Sequence, residues 1–143
     1  MIGFKKETNQ VDKRIIDNIR GLAIDMIDSA NSGHPGIALG AAPIITTLYN
    51  NHLIINPKED KWINRDRFVM SAGHGSSLLY ATLYIAGFDI SLDDLKKFRQ
   101  LDSKTPGHPE LNVTPGVDVS TGPLGQGLAT SVGIAIGEKY LEK

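Results

Sequence analysis

The chain contains no cysteine at all, which excludes disulfides and thiolate metal sites and fits a reducing cytoplasm. Aromatic residues are sparse, at 6% with a single tryptophan. Neither sign of charge dominates: the formal net charge is -1, so bulk electrostatics gives no reason to expect nucleic acid or an anionic membrane as a partner. An anionic ligand would have to be held by local geometry. No apolar run approaches membrane-spanning length. The lysine-bearing start, Met1 to Gln10, lacks the apolar centre of a secretory signal. Hydrophobic content of 41% beside 22% charged residues is nonetheless that of a globular chain, and 143 residues supply one domain or part of one.

Against these absences stands a repetition. Three of the four histidines follow a glycine directly: Gly33-His34-Pro35-Gly36, Gly73-His74-Gly75-Ser76 and Gly107-His108-Pro109-Glu110. Glycine permits a sharp turn and close approach of a ligand. The prolines after His34 and His108 bias both away from helical geometry. His52, in Tyr49-Asn50-Asn51-His52-Leu53, has no such flank and serves as an internal control. A single loop histidine is more often a surface residue than a functional one. Three with the same flank point to a shared ligand, and imidazole suits sugar hydroxyls and phosphates because it donates, accepts and titrates near neutrality.

Apolar spacing predicts a helix from about Val11 to Ala30, stopped at Asn31-Ser32-Gly33 with Gly33 suited to a left-handed terminus. A second helix is expected to open near Pro43 and run towards His52. Arg67-Phe68-Val69-Met70-Ser71 reads as a short buried strand delivering His74 on its C-terminal loop. Ser76 or Ser77 can cap a third helix that ends at Gly87. Ser91-Leu92-Asp93-Asp94 resembles a capping box opening a short helix to about Gln100. From Leu101 to Thr121 the pattern dissolves into a loop long enough to be functional. Gly125-Gln126-Gly127 starts a last helix with Leu128, Val132, Ala135 and Ile136 on its apolar side. Its Ala129, Gly133 and Gly137 form a strip suited to tight packing. A strand between helices implies a parallel crossover, so the fold expected is part of a larger α/β domain.

Ser120-Thr121-Gly122-Pro123-Leu124-Gly125-Gln126-Gly127 brings glycines to a helix N-terminus, where free amides favour an anion. It is neither a Walker A motif nor the dinucleotide fingerprint, and an ordinary glycine-rich turn remains an equal reading. Together, Ser32-Gly33-His34-Pro35-Gly36, the run Trp62 to Ser71, Gly73-His74-Gly75, Pro106-Gly107-His108-Pro109-Glu110 and Thr121 to Gly127 resemble the amino-terminal part of transketolase, in the family's order and over nearly the whole chain.

That resemblance implies an incomplete parallel-sheet sandwich of the thiamine diphosphate-binding type, mostly helical here, with residues 1–143 as the leading portion of the diphosphate-binding domain. It implies ketol transfer between sugar phosphates with thiamine diphosphate and Mg2+ or Ca2+, in a cytoplasmic homodimer. His74 would contact the diphosphate. Gly122, Pro123 and Leu124 would line the aminopyrimidine. His34 and His108 would bind the sugar and move protons. Arg65, Asp66 and Arg67 are assigned a structural role in positioning the strand. The family's metal segment, Gly-Asp-Gly with a later Asn, does not occur among these residues, so the metal ligands and the ring-activating glutamate are expected beyond Lys143. The isolated chain is therefore expected to be inactive. Two other readings remain open: a non-catalytic subunit that works only with a partner chain, and a zinc site formed by His34, His74 and His108.

Overall fold

The structure is a computed structural model that describes residues 10–142; most of the start read above for a signal lies outside them. Among the described residues five α-helices follow one another: α1 (Gln10–Ala30), α2 (Pro35–Asn51), α3 (Ser76–Ala86), α4 (Leu92–Lys96) and α5 (Gln126–Leu141), with a 3-10 turn at Gly73–Gly75 before α3. The sequence of α3 is apolar on every side, and such a helix is stable only when surrounded. Every residue from Ser76 to Leu83 is buried. α1 lays Ile19, Ala23 and Met26 on it, α2 adds Ala38, Ala42 and Ile45, and Leu95 and Phe98 close the cluster from the α4 end. Burying side chains such as Leu78 and Leu83 contributes about 1.5–3 kcal/mol each. None of the described helices is long and apolar enough to cross a membrane.

α2 begins at Pro35, eight residues before the expected Pro43. Pro35 occupies the first turn, where its missing N–H costs nothing. Pro43 lies inside the helix and cannot donate to the carbonyl of Leu39. Arg20 of α1 fills the gap, its Nε donating to that carbonyl at 3.0 Å. A break in one helix is thus repaired by a side chain of its neighbour. At the end of α1 both Asn31 (φ 46) and Gly33 (φ 149) take positive φ.

The expected strand does not form: the described residues contain no strand. A strand needs a backbone partner, and the segment 67–71 is held by side chains instead. The Phe68 N–H donates to Asp118 at 3.3 Å, and the Thr121 hydroxyl donates to the Met70 carbonyl at 2.8 Å. Phe68 and Met70 still face the helical core. On the α5 side, Val69 lines a groove with Ser131, Ile134 and Ala135.

α5 is anchored to this segment. Ser71 Oγ accepts the Leu128 N–H at 3.1 Å, and Arg67 pairs with Glu138 at 3.2 Å. A Cβ on Gly127 would lie 2.5 Å from Ser71 Cα, so only glycine allows the approach. The outer face of α5 is bare: Leu128, Val132 and Ile136 are exposed, and nothing lies within 4 Å of a Cβ built on Gly133 or Gly137. The tight packing expected of that strip is absent because no element among the described residues faces it. α4 keeps its capping box, Ser91 Oγ accepting the Asp94 N–H at 3.1 Å while Asp94 Oδ2 accepts the Ser91 N–H at 2.8 Å. It stops at Lys96 rather than Gln100, and the chain turns out of the helical path with Arg99 at φ 61.

Candidate functional site

Each glycine-flanked histidine leaves the helical core at a different element. His34 is the residue before α2, with φ -126 and ψ 90, extended as Pro35 demands. His74 lies within the 3-10 turn rather than on an open loop. His108 sits in the long irregular segment between α4 and α5.

The three converge. The rings of His34 and His74 meet edge to face, centroids 5.1 Å apart. The turn bearing His74 is pressed onto the glycine-rich segment: a Cβ on Gly73 would lie 2.8 Å from Thr121 Oγ1 and 2.9 Å from Gly122 N. His108 flanks the same backbone, its ring carbons 3.9 Å from a Cβ position on Gly122. The Thr121 N–H donates to the Pro109 carbonyl at 3.1 Å, which sets the two strands of loop side by side. His52 stands at the other end of α2, a separation of about 25 Å at 1.5 Å per residue. His34, His108, Pro123 and Leu124 are exposed and His74 is half-buried, so the group forms an open shelf.

Sequence reasoning missed what holds this shelf. Ser76 caps nothing, since Gly75 occupies that position without a side-chain bond. Its hydroxyl instead donates to the Gly107 carbonyl at 2.8 Å. Tyr80 Oη lies 2.9 Å from the Pro106 carbonyl and 3.0 Å from that of His108. Burial pushes the Tyr80 phenol well above its ordinary range, so it stays protonated and able to donate. Arg99 donates to Ser32 Oγ at 2.8 Å, while its stem lies 3.6 Å from a Cβ position on Gly107. It therefore spans the His34 and His108 loops. The i, i+4 spacing of Ser76 and Tyr80 after Gly-His-Gly was the available signal.

Arg65, Asp66 and Arg67 were expected to position a strand that does not form; they tie the loops around segment 67–71 instead. Arg65 forms a largely buried ion pair with Asp118. Asp66 accepts the Ile54 N–H at 2.7 Å, and Arg67 binds the carbonyls of Ile63 and Arg65. Burial, and next to it the Asp118 charge, raise the neighbouring Tyr49 phenol.

Solved transketolases share this arrangement of helices and loops. The enzyme from Leishmania mexicana superposes with a TM-score of 0.88 at 51% identity, covering 91% of this chain and 19% of that one. A Pichia stipitis transketolase in complex with sedoheptulose 7-phosphate gives 0.85 at 56% identity, covering 87% and 18%. The architecture is thus that of a segment of a transketolase. A family model described as the thiamine diphosphate binding domain of transketolase matches residues 11–143, and the chain belongs to that family. Among curated relatives, the transketolase of Aquifex aeolicus is 55% identical over 136 residues, and that of Bacillus subtilis 56% identical over 131. These alignments cover 95% and 92% of this chain; it spans about a fifth of the length of either relative.

The shelf fits a cofactor with a flat ring and an anionic tail. The backbone at Gly122 and Gly125 is uncluttered, with only the His108 ring near a Cβ at the first and nothing within 4 Å at the second. A half-buried imidazole lies alongside. It does not fit a metal ion: among the described residues no group of His, Asp or Glu could hold one. The zinc reading therefore lacks its ligand geometry.

Proposed function

We propose that residues 1–143 form the leading portion of the diphosphate-binding domain of a transketolase, a cytoplasmic homodimeric enzyme that moves a two-carbon ketol unit between sugar phosphates. The observation that carries this reading is the contact of the His34 and His74 rings beside a Thr121–Gly122 backbone that Gly73 abuts and His108 flanks. Thiamine diphosphate, when bound, supplies a carbon nucleophile and an electron sink for carbon–carbon cleavage. In this reading His74 donates a hydrogen bond to the diphosphate. The Gly122-Pro123-Leu124 backbone forms the wall against the aminopyrimidine. His34 and His108 hold the donor's hydroxyls and carry the proton that its carbonyl oxygen gains on becoming an alcohol. Mg2+ or Ca2+ is assigned to ligands outside this chain, and no step here passes through it.

Diphosphate is strongly anionic and the chain's net charge is -1. A helix terminus contributes only about 0.3–1 kcal/mol to an anion near the surface. The chain alone should therefore bind the cofactor poorly and be catalytically silent. Ketol transfer from a ketose phosphate tests this, first with the purified chain and then with the remaining transketolase sequence added in trans. Activity only after complementation is expected. Robust transfer by the chain alone would overturn the assignment of missing functions to other sequence.

A further inference from the structure

We propose that Tyr80 and Ser76 are positioning residues that set His108 relative to His74. Three consecutive carbonyls, of Pro106, Gly107 and His108, are gathered by two hydroxyls lying one turn apart on α3. Both side chains are fully buried. The helix that carries them starts immediately after the turn bearing His74, so one rigid rod fixes both imidazoles. Packing alone would not need the oxygens: phenylalanine would fill the site of Tyr80, and alanine that of Ser76. What the oxygens add is a fixed path for the loop. The Tyr80 proton is shared between the carbonyls on either side of Gly107, and Ser76 takes the carbonyl of Gly107 itself. Beyond the loop, the Pro109 carbonyl receives the Thr121 N–H, which carries the same placement on to the Gly122 backbone.

The proposal rests on the reading of His108 as a substrate-facing group, but its test requires neither cofactor nor turnover. NMR on the chain itself compares the parent with Tyr80→Phe, Ser76→Ala and a control, Thr82→Val. The control removes another buried hydroxyl of α3, one that donates to the Leu78 carbonyl of its own helix at 2.8 Å. In the first two variants the contact between the His108 ring and the Gly122 α-protons should weaken, the His108 ring signals should move, and Thr121 amide exchange should quicken about tenfold. The His52 signals should stay. In Thr82→Val the His108 signals should stay as well, whatever the loss in stability. Should Tyr80→Phe fail to fold, Ser76→Ala decides. An unchanged His108 environment in Ser76→Ala, or an equal change in Thr82→Val, would overturn the assignment. Failure of ketol transfer in a complemented enzyme would not produce either spectrum, so the two readings fail separately.

Discussion

Replacing Gly73 with alanine should injure the protein where its functional surface is assembled. The new Cβ would stand 2.8 Å from Thr121 Oγ1 and 2.9 Å from both Gly122 N and Thr121 C. Two of those three atoms are backbone, so no rotamer change relieves the contact. The loop cannot drift away freely either. Thr121 is tied on both sides, by its hydroxyl to the Met70 carbonyl and by its N–H to that of Pro109. Overpacking typically costs about 1–3 kcal/mol. With backbone as the obstacle, Gly73→Ala belongs in the upper part, at about 2–3 kcal/mol. Gly21→Ala and Gly40→Ala supply the opposite case: each lies inside a helix with nothing within 4 Å of the added carbon. There alanine should stabilise by about 0.5–1 kcal/mol. Urea unfolding followed by circular dichroism reads all three, with unchanged slopes confirming that midpoints report stability. A Gly73→Ala protein within about 0.5 kcal/mol of the parent, a shift ordinary for open surface sites, would refute the close approach of the His74 turn to Gly122.

Three further outcomes follow from particular contacts. Asp118→Asn leaves Arg65 largely buried without its partner and should cost about 3–5 kcal/mol, whereas Glu138→Ala, which removes an exposed pair with Arg67, should cost no more than about 1 kcal/mol; urea midpoints distinguish them. Arg20→Met should destabilise by about 0.5–1.5 kcal/mol by stranding the Leu39 carbonyl, and far less in a Pro43→Ala background, where residue 43 regains the N–H that serves it; a double-mutant cycle measures the difference. Hydrogen bonds from Ser91 hold the Asp94 carboxyl below its ordinary range. The stability it contributes is therefore complete above about pH 4, the ordinary aspartate value, and lost as pH falls through the lowered native value. Amide exchange in α4 should rise in that acid window, and Asp94→Asn should abolish the dependence.

Helices were legible where their signal was local. α1 follows from 3.6-residue spacing, α4 from its capping box, and the end of α3 from Gly87, which is left-handed at φ 90. α2 was misplaced because its continuity through Pro43 depends on Arg20, a residue of another helix. The segment 67–71 was read as a strand because it is short and apolar enough to be buried. Phe68 and Met70 do face the core, but pairing depends on a neighbour that a short apolar run does not reveal. At the site, the glycine flanks singled out the histidines that meet, since glycine is what lets Gly73 and Gly122 lie together. The scaffold stayed hidden. Ser76, Tyr80 and Arg99 act across 31, 26 to 28 and 67 residues of sequence, distances over which composition and spacing carry no information.

In the proposed function these histidines divide the work of one surface, His74 holding the diphosphate while His34 and His108 face the sugar. Titrating thiamine diphosphate calorimetrically into the complemented enzyme, with each histidine changed in turn to alanine, tests it most directly. Losing a hydrogen bond to a charged group costs about 1.5–3 kcal/mol, so His74→Ala should weaken cofactor binding by at least about tenfold. His34→Ala and His108→Ala should leave that affinity near the parent's and lower turnover or donor affinity instead. An equal loss of cofactor affinity in all three variants, or none in His74→Ala, would contradict the account.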